Sequence, residues 1–304
     1  MNIIETDRIT RRYAATEAVH ELTLAVPLGS VFALLGPNGA GKTTTLKMLV
    51  NLLLPTAGTA RVLGVDSLRL GERELAQIGY VSENQKQPDW MTVRHLLDYC
   101  RPFYPTWDRE LEAKLLVRFD LPVDRKLKQL SRGMLMKAVL LSSLAYRPRL
   151  LILDEPFSGL DPVVRDDLTA GLLEAAQLGE TTVLVASHDI EEIERLADHI
   201  ALLEAGRLRL TETTEALLGR FRRVEVTLQG GPAQLTALPA SWLEWERTGD
   251  LVRFVETHYM RNTTERDCRE HFPEAAVTAR PMTLREIFIT LARAGRNQTK
   301  GAAA

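Results

Sequence analysis

Gly36-Pro37-Asn38-Gly39-Ala40-Gly41-Lys42-Thr43 fits the pattern G-x-x-x-x-G-K-[ST] of a phosphate-binding loop, and its flanks fit as well. Val31 to Leu35 before it reads as a buried strand, and Thr44 to Leu54 after it reads as a helix ended at Pro55. That order has a physical basis. Glycines let backbone N–H groups turn inward around an anion, and the following helix adds the positive end of its dipole. Lys42 is expected to neutralise the β- and γ-phosphates of a nucleotide, and Thr43 to place its hydroxyl on Mg²⁺. The nucleotide-binding residues expected here are Gly36, Pro37, Asn38, Gly39, Ala40, Gly41, Lys42, Thr43 and Thr44.

Bulk properties bound the reading. The chain has 304 residues, 45% of them hydrophobic and 26% charged, with a formal net charge of −2. This is globular composition, long enough for one large domain and a smaller one. A near-neutral balance gives no reason to expect nucleic acid as a partner. Cys100 and Cys268 have neither metal-ligand spacing nor disulfide density, and read as small buried hydrophobes in a reducing compartment. Residues 1–8 lack the apolar core of a signal peptide. The longest apolar stretches, such as Met48 to Leu54 and Ala138 to Leu144, fall short of the roughly 20 residues that span a bilayer. Work at a membrane would require another protein to hold the chain there.

Residues 3 to 35 read as two or three strands, the last two separated by the Leu28-Gly29-Ser30 turn. Tyr13, in the first connection, could stack on an adenine ring or pack half-buried. After the loop helix come short strands at Ala60 to Gly64 and Ile78 to Ser82, then helical periodicity from Thr92 to Tyr146. Leu150-Leu151-Ile152-Leu153 returns to an unbroken apolar run, suited to the centre of a parallel sheet covered on both faces. A helix at Pro162 to Ala176, a strand at Thr182 to Ala186, a helix at Ile190 to Ala197 and a strand at Ile200 to Glu204 follow. The alternation predicts an α/β fold.

Asp154 and Glu155 end that apolar strand, at the sheet edge where ligands bind in open α/β folds. Asp154 there would hold Mg²⁺, directly or through water, and Glu155 would take a proton from attacking water. His188 falls at the corresponding end of the neighbouring strand. A lone histidine is more often structural, but that edge is where a nucleotide would sit, so His188 stands as a candidate catalytic residue beside Glu155 and Lys42.

With these residues in hand, the chain resembles the ATP-binding cassette (ABC) family over roughly residues 3 to 220. Gly36 to Thr43 matches the family's Walker A loop, and Leu150 to Glu155 its Walker B strand with the catalytic glutamate. Ser158-Gly159-Leu160-Asp161 matches the D-loop, His188 the switch histidine and Tyr13 the adenine-stacking aromatic. The resemblance implies a P-loop NTPase cassette with a helical subdomain at about 88–147, ATP and Mg²⁺ as ligands, and pairing with a second ABC subunit. In that pairing each ATP lies between one subunit's loop and the other's signature, so Ser131 and Gly133 would serve the partner's nucleotide. Asp161 would couple the two sites. An integral membrane permease would be the other partner, placing the chain peripherally on the cytoplasmic face of the membrane. Pro88-Asp89-Trp90-Met91 would face that permease, Trp90 and Met91 being either interface residues or a local hydrophobic staple.

Two motifs depart from the family pattern, the signature at Arg132 and Met134 and the segment after the Ile78 to Ser82 strand at Glu83. The signature, Leu-Ser-Gly-Gly-Gln in the family, is here Leu130-Ser131-Arg132-Gly133-Met134. Arg132 adds a charge that could touch phosphate but forfeits glycine's close backbone approach. Glu83 stands where the family usually has a glutamine that reaches the metal; with Thr43 and Asp154 it completes the expected metal set. Both variants resemble those of some bacterial exporter-type cassettes. The resemblance therefore implies an ATPase that energises an exporter through ATP-driven dimerisation. A soluble ABC protein acting on ribosomes or DNA would carry two cassettes or a long coiled-coil insertion, and neither is seen. A non-hydrolysing, nucleotide-gated subunit is opposed by Lys42, Asp154, Glu155 and His188.

From about residue 221 to 297 the pattern changes to a small α+β domain, read as regulatory or as a dimer contact. Val224, Val226 and Leu228 alternate, and Trp242 to Glu246 with Leu251 to Val255 suggests a hairpin. Thr263 to Phe272 reads as a helix, Ala275 to Ala279 as a strand, and Thr283-Leu284-Arg285-Glu286 as a capping box opening a last helix. With a helix at Ala233 to Leu238, the order would be that of a ferredoxin-like βαββαβ unit. The unit lacks the aromatic-and-glycine strand motif of RNA readers. Residues 298–304 read as a loose tail.

Overall fold

Leu150 to Asp154 is buried at every position and pairs in parallel with a strand on either side. The computed structural model describes all residues except 15, 84, 178–180, 229–237, 274 and 302–304. The chain divides into two units, Met1–Thr211 and Glu212–Ala304.

The first unit opens with β1 (Asn2–Tyr13), β2 (Thr16–Pro27) and β3 (Val31–Leu35), which leads through the phosphate loop into helix α1 (Lys42–Leu49). Strands β4 (Ala57–Val62) and β5 (Val65–Asp66), the short helix α2 (Glu72–Leu75) and β6 (Ile78–Ser82) follow. Helices α3 (Val93–Cys100), α4 (Arg109–Arg118) and α5 (Arg132–Leu144) are inserted before β7 (Leu150–Asp154), which nevertheless pairs directly with β6. Then come α6 (Pro162–Gln177), β8 (Thr182–Ser187), α7 (Ile190–Glu194), β9 (His199–Glu204) and β10 (Arg207–Thr213).

These strands make two sheets, one of four in the order β2-β1-β4-β5 and one of six in the order β10-β9-β3-β8-β7-β6. Within the larger sheet, β9, β3, β8, β7 and β6 pair in parallel. Helix α1 touches β2 and β4 of one sheet and β7 and β8 of the other. Leu46, Met48 and Leu49 of the helix thus share one core with Ile4, Leu22 and Leu24 and with Phe32, Ile152 and Leu184. Register fixes the functional edge. Leu35 lies opposite Ser187, Asp154 opposite Ala186 and Ser82 opposite Asp154. The residues that follow these strands therefore emerge side by side.

Helix α1 ends at Leu49, before the expected Leu54, and Pro55 is not what stops it. Asn51 adopts φ +58°, and the Leu52 N–H returns to the Lys47 carbonyl at 2.9 Å. This is a Schellman end with asparagine in the left-handed position. The inserted helices are anchored to the sheet by Tyr146, whose hydroxyl donates to the Ile78 carbonyl at 3.0 Å while its ring stacks on Tyr104 at 3.7 Å. Such a ring pair contributes about 1 kcal/mol beyond the area it buries.

The second unit contains α8 (Thr214–Arg220), β11 (Arg222–Thr227), β12 (Trp242–Thr248), β13 (Leu251–Glu256), α9 (Arg261–His271), β14 (Ala276–Pro281) and α10 (Leu284–Gly301). Its antiparallel sheet has the order β12-β13-β11-β14, the strand order of a ferredoxin-like unit. The helix expected at 233–238 falls almost wholly on residues outside the described ones. One sheet face carries Val224, Val226, Val252 and Phe254 against Trp242, Cys268 and Phe272. Buried Glu256 accepts from Trp242 Nε1 at 2.9 Å. Helix α10 starts with the expected capping box: Thr283 N–H donates to Glu286 at 2.9 Å, and Glu286 N–H to the Thr283 hydroxyl at 3.3 Å.

The expected boundary at 220/221 is corrected to 211/212. Arg220 pairs with Glu212 and donates to the Thr257 carbonyl at 2.7 Å, while Leu217 and Phe221 are fully buried. Helix α8, unread in the sequence, therefore belongs to the second unit.

Candidate functional site

The phosphate loop owes its shape to what surrounds it. Gly41 sits at φ +101° directly before α1, and a β-carbon there would collide with the Ala18 carbonyl of β2. Only glycine meets both constraints without strain. Ala40 closes a turn onto Pro37 at 3.1 Å, and Gly206 N–H holds the Ala40 carbonyl at 3.0 Å. Pro37, Asn38 and Gly39 form the exposed lip, whereas Gly36 and Ala40 are buried. Thr44 lies half-buried in the first turn of α1.

Lys42 is 5% exposed, and its ammonium donates to the Gly36 carbonyl at 2.7 Å and the Pro37 carbonyl at 3.3 Å. Its counter-charge is Glu155, with Nζ to Oε1 at 3.0 Å. The other Glu155 oxygen meets His188 Nδ1 at 2.7 Å and accepts from His188 N–H at 3.3 Å. Lys42, Glu155 and His188 thus form one continuous polar chain across three strand ends. Glu155 itself is held at φ +54°, a conformation L-residues enter at a cost of about 1 kcal/mol or more. Its N–H is fixed by the Ala186 carbonyl at 2.9 Å, so the sheet register imposes the bend that swings the carboxylate toward the loop.

Beside this chain, the Thr43 hydroxyl donates to Asp154 Oδ1 at 2.8 Å and the Ser82 hydroxyl to Oδ2 at 3.4 Å. Asp154 is 2% exposed, and burial pushes its carboxyl above the ordinary range while the Thr43 hydrogen bond opposes the rise. A buried carboxylate flanked by two hydroxyls is a hard-oxygen donor set of the kind Mg²⁺ takes, usually completed by water and phosphate oxygens. Ser82 was not foreseen. The signal was its position opposite Asp154, which becomes visible only once β6 and β7 are known to pair.

Glu83 does not join Asp154 and Thr43 through its side chain. Its N–H donates to the Asp154 carbonyl at 3.1 Å, but its carboxylate is ion-paired with Arg132. In this arrangement the Glu83 carboxylate is engaged by a guanidinium fork that suits its two oxygens, while its backbone stays beside Asp154. Ser131 caps α5, accepting from Met134 N–H at 3.2 Å. Buried Gly133 is pressed against Val164 of α6, where a β-carbon would come within 2.8 Å of a valine methyl. Neither residue joins the Lys42–Glu155–His188 chain.

Tyr13 ends β1, is 43% exposed, and carries the Arg11 guanidinium 4.7 Å from its ring centroid. Trp90 is exposed at 64%, whereas Met91 is buried, as the staple alternative for that position requires. Met91 precedes the Thr92 cap of α3 and Leu96 occupies the first turn's end, the two positions of a hydrophobic staple. Burial pushes the Cys100 thiol up, and that of fully buried Cys268 up to about 12, so both are inert hydrophobes.

The chain is similar to known proteins. The family described as ABC transporter matches residues 19–158. The daunorubicin/doxorubicin resistance ATP-binding protein DrrA of Streptomyces peucetius is 38% identical over 70% of this chain and 66% of its own length. The Nod factor export ATP-binding protein I of Burkholderia orbicola is 36% identical over 67% of this chain and 68% of its own. A solved ATP-binding subunit of an ABC transporter superposes with a TM-score of 0.65 at 27% identity, covering 71% of this chain and 91% of that one. With the phosphate loop, the buried aspartate and the lysine–glutamate–histidine chain in place, this protein belongs to the ABC transporter family as an ATP-binding protein, a member of the P-loop ATPases that hydrolyse ATP.

Proposed function

We propose that this chain is the Mg²⁺-dependent ATPase subunit of an exporter, working as a head-to-tail dimer with a second cassette beneath a membrane permease. The observation that carries the reading is Glu155, held between Lys42 at 3.0 Å and His188 at 2.7 Å. Lys42 binds the β- and γ-phosphates, taking phosphate oxygen in place of the Glu155 carboxylate. Glu155, so released and still aligned by His188, accepts the proton of the attacking water. Thr43 and Asp154 would hold Mg²⁺, which would supply positive charge to the phosphates. Tyr13 offers a ring to adenine, and Ser131 and Gly133 complete the second subunit's site.

A groove of about 570 Å³ supports the permease assignment. It lies between the inserted helices and the sheet, lined by Leu52, Leu75, Tyr80, Met91 and Tyr99 among others. Leu52 and Tyr99 are exposed at 64% and 59%, as a surface covered by another protein would be. Among the described residues no helix is long and apolar enough to cross a membrane, so this groove is where we place the attachment to one. The relatives' names, drug resistance in one and Nod factor export in the other, favour export over import. We assign residues 212–304 a regulatory or dimer-contact role.

Glu155→Gln is the test. The variant should keep ATP affinity, lose steady-state hydrolysis by about two orders of magnitude or more, and accumulate as an ATP-bound dimer. Unchanged hydrolysis would remove Glu155 as the base.

A further inference from the structure

Two of the positions at which this chain departs from the family pattern, Glu83 and Arg132, are each other's partner. Glu83 follows β6 and is tied by its N–H to the Asp154 carbonyl, while its carboxylate pairs with the Arg132 guanidinium. Arg132 is the first residue of α5, directly after its Ser131 cap. Its guanidinium also lies along Gly159, in the loop between Glu155 and α6. A β-carbon on Gly159 would fall 2.6 Å from Arg132 Nη1, and Gly159 sits at φ +65°. One side chain therefore joins the end of β6, the start of α5 and the loop that follows Glu155.

Both side chains remain reachable, with 49% of Arg132 and 27% of Glu83 exposed. Arginine stays charged at any pH the protein meets, and its fork fits carboxylate and phosphate oxygens alike. A triphosphate is therefore a chemically matched competitor for the place Glu83 holds. We propose that Glu83 and Arg132 are a positioning pair: within one subunit Glu83 masks the charge of Arg132 and holds the start of α5 on its own catalytic strands, and the pair opens when Ser131–Gly133 is presented to a second subunit's nucleotide. This rests on the head-to-tail arrangement proposed above. An ion pair this exposed restrains by about fivefold at most and weakens as salt screens it.

The full chain carrying Glu155→Gln, to stop turnover, is titrated with Mg·ATP and dimer formation followed by analytical ultracentrifugation at low and high salt. Adding Glu83→Gln should bring half-maximal dimerisation to about fivefold less ATP at low salt, with the difference closing at high salt. In an Arg132→Gly background, Glu83→Gln should change nothing. Hydrogen exchange of the nucleotide-free chain should quicken at the first turn of α5 in Glu83→Gln. The proposal is overturned if Glu83→Gln needs as much ATP as its parent, or if its shift persists without Arg132. Should no variant dimerise at any ATP concentration, the head-to-tail arrangement falls, and exchange at α5 alone judges the pair: faster exchange retains the restraint, unchanged exchange removes it.

Discussion

Replacing Gly133 by alanine sets helix propensity against packing, and the structure decides the sign. In an unobstructed helix, alanine would be favoured over glycine by at most about 1 kcal/mol. Here its β-carbon would lie 2.8 and 3.0 Å from the two Val164 methyls, where carbon contacts prefer about 3.5–4.0 Å. Valine is stiff at χ1 and cannot swing both methyls aside. Overpacking of this kind costs about 1–3 kcal/mol. The expected balance is a loss of about 1 kcal/mol, or about 2–4 °C in the melting temperature of a unit this size. Calorimetry of the full chain should read it, and the informative step is to repeat it on Val164→Ala. With the methyls gone, Gly133→Ala should become neutral or slightly stabilising, a coupling of about 1–2 kcal/mol between the two positions. Under the head-to-tail arrangement proposed above, hydrolysis should stay depressed in the rescued double variant, because close approach to the second subunit's phosphate would be a separate demand on the same glycine. The reasoning is refuted if Gly133→Ala raises the melting temperature of the parent, or shifts both backgrounds equally.

Thr43→Val keeps shape but withdraws the 2.8 Å hydrogen bond to buried Asp154, and should lower stability by about 1.5–3 kcal/mol in metal-free buffer. Asp154 already has a raised carboxyl, so its contribution is greatest below the unfolded value near 3.8 and declines as pH rises through the folded one. Losing Thr43 raises that folded value further, and the deficit of the variant should grow from acid toward neutral pH; a pH-independent deficit would exclude the mechanism. Asp108 behaves oppositely. Its carboxylate caps α4 through Glu110 and Leu111 N–H at 2.9 Å and pairs with Arg147, and the Leu111 N–H is foremost in holding its pKa below 3.8. Asp108→Ala should cost about 1 kcal/mol at neutral pH, and the gap from wild type should narrow as acid protonates the cap. Equal unfolding midpoints at neutral pH would rule that cap out.

The sequence alone determined the nucleotide-binding class, because the chemistry of phosphate binding is local. Gly36 to Thr43 needs only neighbouring backbone and one helix end, and Leu150 to Glu155 needs only an apolar run that ends in two acids. Capping at Thr283 was legible for the same reason, since the partners stand three residues apart. Tertiary structure decided whatever depends on groups distant in the chain. Ser82 meets Asp154 only because β6 and β7 pair across the helical insertion. Helix α8 joined the second unit through Glu212 and Thr257, ligands of Arg220 that no local pattern reveals. Glu83 and Arg132 read as two separate irregularities in the sequence, 49 residues apart. Folding makes them one interaction, because α5 brings the Arg132 guanidinium to the strand end that carries Glu83.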